Sequence, residues 1–562
     1  MAAPEARWWS SERAQRITTG VVLAVSALAV AWPLTSAEWL PFVDYPQHLG
    51  TVAAIHGQGD PTWARYFVVE YSRSQYLLLY VLADWLAYPL GVEAATRVTA
   101  ILSIAGLPLA LALYLRESGR DPLLGGIAAA VALHVFVFWG FLNFSAGMTV
   151  GLLGLAAFAR LCRQPTSRNA TLFGLGALAT FYSHAQLFAW LAIACAVTLL
   201  AMAPAVGRKA TVGALWRGLV ASLPSAAGLA YWLHRSGVIE HGEAGLRSGH
   251  AEQVTEDPAR FAPVEDTVRG WLGHSFEIYR DGAGIWIAVA FFTVVLVAIL
   301  LRGAPAGEGE APAEETAAGA DEESEEDRPR LRRVLAWLRG TPAPTVRSYA
   351  PEVVALATFG LYLFAPVSYR LIEPISHRFL PLALALLVCF GPRGPIGDRL
   401  RLGLGAIVIA LCVFVGVAHT ERFSVTDDEM GELAEALEHT EPGHRLLGLI
   451  HDQASQVVPF ATYLHAHQYY QARVGGMACF SFVEFPKSPV QWAPDAAPPP
   501  FPPRFEWTPQ RYDHRVWGDS FDYWLVRHPP GRPPPNPLRV SPADPTAPHV
   551  VFESSRWTLY AR

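Results

Sequence analysis

"QYLLLYVLADWLAYPL", residues 75–90, decides the fold, because its reading sets how often the chain crosses a bilayer and on which side every later loop falls. The run could span, yet it carries Asp84 and Pro89. Eleven other apolar runs lie near residues 17–34, 98–115, 123–139, 145–160, 170–183, 186–203, 216–233, 284–302, 350–367, 379–391 and 402–419. Several are short for a hydrocarbon core of about 30 Å and must extend into flanking residues. If 75–90 spans, the loops "RESGRD" (116–121), "RLCRQPTSRN" (160–169) and "GRKATVGALWR" (207–217) fall outside the cell, against the excess of Lys and Arg in cytoplasmic loops. If it lies on the outer surface as an interfacial helix, those loops become cytoplasmic, together with Arg13, Arg16, "RLRRVLAWLR" (330–339) and "RGPIGDRLR" (393–401). The charges favour this second reading: eleven spans in a bacterial-type inner membrane, N-terminus inside, C-terminus outside.

Composition agrees with a polytopic membrane protein. Of 562 residues, 52% are hydrophobic and 16% charged, whereas soluble domains carry about a quarter charged residues. There is no basic stripe, so nucleic-acid binding is set aside. Five cysteines without a CxxC spacing give no disulfide framework. The charged N-terminal flank and first apolar stretch read as an uncleaved span, although "TSA" before Glu38 leaves cleavage open.

The expected organisation is a cytoplasmic N-terminus (1–16), a transmembrane domain (17–419) and an extracytoplasmic α/β domain (420–562). Within the transmembrane domain lie a first outer loop with its interfacial helix (35–97), a second outer loop (234–283) and an acidic, disordered cytoplasmic loop (303–348) too poor in aliphatic residues to bury a core. In the last domain "HRLLGLIHD" (444–452), "FDYWLVRHP" (521–529) and "VVFESSRWTLYAR" (550–562) read as strands, and "ASQVVPFATYLHAHQYYQAR" (454–473) as a helix.

On this topology Asp44, His48, Glu70, Arg97, Asn143, His184, Glu373, His377 and Arg378 all fall near the outer surface. Ionisable groups at membrane depth are costly and so are functional candidates. Each also has a plain structural reading: Asp44 as the cap of a helix starting at Pro46, Arg97 as the anchor of a span end, His184 as a hydrogen-bonded interfacial histidine. The spacing Asp44-x-x-x-His48 puts both side chains on one face of a helix, where the carboxylate orients the imidazole or the two share a divalent metal. No HExxH, nucleotide-binding glycine pattern or GxSxG accompanies them. Acid–base chemistry remains, with Arg97 and Arg378 suited to hold a phosphate. In the C-terminal domain His465 and His467 stand among aromatics, in a pattern that could bind sugar but reads first as a packed helix.

Several stretches resemble the GT-C superfamily of membrane glycosyltransferases, which use polyprenyl-phosphate-linked sugars. "LPFVDYPQHLG", "YLLLYVLADWLAYPLG" and "VEAATRVTAILSIAGLPLALALYLR" are similar in order and kind to the start of protein O-mannosyltransferases and aminoarabinose transferases. "FWGFLNFSAGMTVGLLGLAAFAR", "TFYSHAQLFAWLAIA" and "SHRFLPLALALLVCF" look like segments of bacterial members. The resemblance implies a catalytic acid in the first outer loop, which maps onto Asp44. It also implies a polyprenyl-phosphate sugar donor and a glycan, lipid or protein acceptor outside the cytoplasm. Arg97, Asn143, His184, His377 and Arg378 are then the substrate-binding candidates. His48 stands where a second acid would be expected. Two other classes stay open: a non-catalytic membrane subunit built on the same scaffold for assembly or lipid binding, and a transporter, the latter disfavoured by the lack of a two-half repeat.

Overall fold

A computed structural model describes residues 12–235, 259–303, 348–369, 373–394, 396–485, 487–502, 504–540 and 547–562. The acidic segment 304–347 and residues 236–258 of the second outer loop lie outside these. Among the described residues, six helices are long and apolar enough to cross a membrane: Glu12–Ser36, Val92–Glu117, Leu142–Arg163, Ala185–Val206, Ala283–Leu300 and Asp398–Met430. The remaining apolar runs also form helical segments, shorter or less apolar. The run 123–139 is broken: a helical segment Pro122–Ala132 is followed, after Leu133 and His134, by a separate turn Val135–Phe138, and residues 123–138 are buried.

The first span, α1 (Glu12–Ser36), and the last, Asp398–Met430, run in parallel. Gln15 donates to Asp398 (2.6 Å) at one end, and the backbone N–H groups of Glu38 and Trp39 donate to Asp427 (2.7 Å each) at the other. The end of the molecule near residue 15 gathers arginines around few acids. Arg401 forks onto Asp121 (2.7 and 2.9 Å), Arg163 reaches Glu117 (2.5 Å), and Arg120, Arg302 and Arg393 surround Glu352 (2.6–3.1 Å). Asp44 and the C-terminal domain lie at the opposite end.

There the chain forms α2 (Tyr45–His56), buried along nearly its whole length. The doubtful run becomes α3 (Leu78–Leu90), thirteen residues, hence about 20 Å, too short to cross a bilayer. Trp85 and Tyr88 are exposed on it, and Asp84 pairs with His56 (2.9 Å). Gly91, at φ +79°, then turns the chain into the next helix.

The C-terminal domain carries a five-stranded mixed sheet. Arg445–Ile450 lies parallel to Met477–Ala478 on one side and to the central strand Tyr523–Arg527 on the other, and Trp557–Ala561 joins antiparallel between Tyr523–Arg527 and His549–Glu553. The stretch expected as one final strand is thus a hairpin, because Ser554 accepts from the Trp557 N–H and closes a turn. The helix expected over 454–473 shrinks to Gln468–Arg473, since Pro459 and a series of turns occupy the preceding residues.

The sheet domain is sewn onto the first outer loop. Phe67–Val69 pairs antiparallel with Val490–Trp492, with Phe67 stacked on Trp492. Gln47 of α2 accepts from the Phe482 N–H (2.8 Å) and donates to the Phe480 carbonyl, while Gln471 donates to the Gly50 carbonyl (2.9 Å).

Candidate functional site

The site is built around a tight turn, "FWGFLN" (138–143). The Val43 N–H donates to the Phe138 carbonyl (2.9 Å), and Gly140 adopts φ +90° with its Cα pressed against Asp44. A Cβ at Gly140 would lie 2.6 Å from the Asp44 nitrogen and Cβ, so only glycine lets the two segments meet.

Asp44 occupies the N-cap position of α2, but its side chain makes no capping hydrogen bond, and Pro46 sits at the second helical position rather than the first. The carboxylate, about 18% exposed, faces His465 instead, with Oδ1 3.1 Å from Nδ1. The same Nδ1–H also reaches the Val43 carbonyl (3.1 Å), and His465 Nε2 stands 3.5 Å from Glu506. Burial alone would lower the His465 pKa; hydrogen bonds to Asp44 and Glu506, with their charges, override it and raise it to about 10. His465 is therefore an imidazolium between two carboxylates. Glu484 lies close by: burial, then the charge of Glu506, push its pKa up to about 7, opposed by backbone N–H groups and by His465. It accepts from the N–H of Phe480, a residue held at φ 56°.

His48 does not face Asp44. Its Nε2–H donates to the Gly140 carbonyl (2.9 Å) and its Nδ1 accepts from the Tyr80 hydroxyl (2.8 Å). Burial lowers its pKa, so the ring is neutral with both nitrogens engaged. The two side chains diverge even though the His48 N–H donates to the Asp44 carbonyl (3.0 Å): Asp44 is the N-cap residue, with φ −96° and ψ 2°, and its carboxylate turns to His465 while the imidazole is held by Gly140 and Tyr80. Among the described residues no group of three or more His, Cys, Asp or Glu side chains is arranged to hold a metal.

A second cluster forms on the other side of the same turn. Arg378, largely buried, lies over the Phe141 ring (4.3 Å), approaches His184 Nε2 (3.4 Å) and donates to the Glu373 carbonyl (3.2 Å). Its Nε is buried without a partner. Lys487, from the segment that follows Glu484, is close enough for its charge to act on both Arg378 and His184. Burial lowers the Arg378 pKa to about 10, and burial followed by the Arg378 charge lowers that of Lys487. Among the described residues no carboxylate pairs with Arg378 or Lys487. Asn143 bonds Tyr80, and its Oδ1 is buried and unpartnered, as is Gln75 Oε1.

Other sequence-selected residues are placed elsewhere. Arg97 donates to the carbonyls of Ala37 and Glu38, anchoring the start of the outer loop. His377 stacks on His274 at 3.6 Å, away from its neighbour Arg378. Glu70 pairs with Arg235 and Glu373 with Arg260. His467 donates to the Cys479 carbonyl (2.7 Å), with its pKa lowered to about 4 by burial and then by the His465 charge. Two surface cavities, of about 270 and 210 Å³, are lined by Phe276, Tyr279 and Arg280 among others, and by Trp63, Phe67 and Val68 among others; neither is lined by Asp44 or Arg378.

The residues that sequence reasoning left out of the site are His465, Glu484, Lys487 and Glu506, all in the C-terminal domain. The only signal was the His465–His467 pair among aromatics.

No protein-family model and no curated protein matches the chain. Two crystal structures of ArnT from Cupriavidus metallidurans are similar to it, each at 12% identity. The apo-state structure aligns over 97% of this chain and 98% of its own, with a TM-score of 0.49. The structure bound to undecaprenyl phosphate aligns over 96% and 97%, with a TM-score of 0.51. End-to-end coverage by the latter shows that the apolar helices and the C-terminal sheet together share the fold of that ArnT structure, as the sequence resemblance implied.

Proposed function

We propose that this protein is an inverting membrane glycosyltransferase that moves a sugar from a polyprenyl phosphate to an acceptor hydroxyl outside the cytoplasm. One observation carries the reading: a partly exposed carboxylate, Asp44, and two cations free of paired carboxylates, Arg378 and Lys487 with the neutral His184 beside them, are fixed on the two sides of one turn. That arrangement suits the reaction. Asp44 removes the proton of the acceptor hydroxyl, whose oxygen attacks the anomeric carbon, while the bond to phosphate breaks and the cations bind the phosphate as it leaves. Arg is suited to phosphate by its planar fork, and burial strengthens its field. Asn143, with its unpartnered amide oxygen, is assigned to a substrate hydroxyl.

His48 holds Asp44's helix against Gly140, and Arg97 holds the loop entry; neither touches substrate in this reading. His377 supports the segment that ends in Arg378. The structure with the same fold holds undecaprenyl phosphate, which is the class of the proposed donor lipid. Asp44→Asn, at normal expression, is expected to abolish sugar transfer while undecaprenyl phosphate still binds. Arg378→Gln is expected to weaken that binding at least ten-fold, as read by native mass spectrometry. Transfer that survives Asp44→Asn overturns the mechanism.

A second reading, left open by the absence of a metal-ligating cluster among the described residues, is a non-catalytic lipid-binding or assembly subunit. It predicts lipid binding that depends on Arg378 and no turnover in any variant.

A further inference from the structure

The C-terminal domain reaches Asp44 through one side chain. His465 enters from the turns before Gln468–Arg473, and its two ring nitrogens point at carboxylates from separate parts of the chain, Asp44 at 3.1 Å and Glu506 at 3.5 Å. The imidazole is buried, and the groups around it are defined: the Val43 carbonyl at 3.1 Å, Glu484 and His467 at longer range. A neutral imidazole carries one N–H and could donate on one side only. Serving both carboxylates requires both protons.

We propose that His465 is a positioning residue for Asp44: its Nδ1–H holds the carboxylate toward the turn 138–143, and its Nε2–H ties the ring to Glu506. Docking of the C-terminal domain thereby completes the reacting centre. The proposal rests on the glycosyltransferase reading for its catalytic meaning, but the clamp itself exists or fails independently of turnover. His465 needs no contact with substrate. It removes the rotational freedom of a carboxylate that no helix cap restrains, and an aspartate held in one orientation delivers its oxygen to the acceptor hydroxyl without searching.

Two substitutions separate the nitrogens. The amide nitrogen of Asn falls where Nδ1 stands, and that of Gln where Nε2 stands. His465→Asn therefore keeps the donor to Asp44 and loses the tie to Glu506; His465→Gln does the reverse. The first measurement is the pH dependence of histidine C2 hydrogen exchange in the full-length protein, read by mass spectrometry. The His465 midpoint is expected well above 6.5 and is expected to fall by at least one pH unit in both Asp44→Asn and Glu506→Gln. A midpoint at or below 6.5, or one indifferent to either substitution, overturns the clamp.

The second measurement is turnover of undecaprenyl-phosphate-linked glucose, mannose, arabinose and aminoarabinose, read as released undecaprenyl phosphate. His465→Gln is expected to lower kcat at least ten-fold with KM for the lipid donor unchanged, and His465→Asn is expected to lose several-fold less. Equal losses in the two variants overturn the positioning role. Absence of turnover in the parent protein with all four donors counts against the glycosyltransferase reading, while the exchange midpoints still decide the clamp.

Discussion

At Gly140 the absence of a side chain does the positioning. The Asp44 backbone occupies the space a Cβ would take, at a φ that L-residues rarely adopt, so Gly140→Ala must move Asp44 or the turn itself. Turnover is expected to fall at least ten-fold, while undecaprenyl phosphate binding at Arg378 weakens far less; equal loss of both would show that the whole turn had collapsed. Two other residues make stability depend on pH. The folded pKa values of His465 (about 10) and Glu484 (about 7) both lie above their ordinary values. A raised folded value means the native state holds the proton longer than the unfolded chain, so stability falls as pH rises through the interval. The Glu484 share is lost between about pH 4.5 and 7, and the His465 share between about 6.5 and 10. Thermal unfolding of Glu484→Gln is expected to be flatter than that of the parent over the first interval and parallel to it over the second. At this scale Asp44 was legible, as an acid just past the end of a span. His465 was not, because Asp44 and the Val43 carbonyl reach it by tertiary contact from more than four hundred positions away, and no local spacing encodes that.

Among elements, α2 is the hub, packed under the membrane helices on one side and the C-terminal domain on the other. The segment 480–492, which delivers Glu484 and Lys487, is fixed to the loop by Gln47 and by the pairing of Phe67–Val69 with Val490–Trp492. Gln47→Leu leaves the Phe482 N–H without its acceptor and the Phe480 carbonyl without its donor. A cost of about 1–3 kcal/mol in unfolding free energy is expected, with faster proteolysis confined to 480–492. Helix positions were readable because apolar runs of spanning length leave few alternatives. The helix over 454–473 was overread: its aromatic spacing suits a buried turn equally well, and Pro459 interrupts the backbone hydrogen bonding. The hairpin near the C-terminus was underread, since Ser554–Ser555 lacks the glycine that usually marks so short a turn.

Across the whole molecule the two ends differ in charge. The parallel course of Glu12–Ser36 and Asp398–Met430 puts the arginine-rich end near residue 15 and the C-terminal domain at the far end. By the excess of Lys and Arg in cytoplasmic loops, we assign the arginine end to the cytoplasm. A reporter active only outside the cytoplasm, fused after Arg562, is expected to be active, and one fused at residue 164 inactive. Asp121, fully enclosed beneath Arg401, fixes that end: Asp121→Ala strands a buried guanidinium and is expected to cost about 3–5 kcal/mol, read by thermal unfolding in detergent. The overall architecture was legible from hydropathy and charge. The contribution of the C-terminal sheet domain to the site was not, because mixed polar sequence carries no mark of the surface it docks against.

The separation of Asp44 from its imidazole partner along the chain also sets an order in time. Asp44 leaves the ribosome early, whereas His465 and Glu506 emerge only after the last span. A nascent or truncated chain can form its helices and expose the carboxylate, yet the contact with His465 and Glu506 is made only once the C-terminal segment has been synthesised and folded.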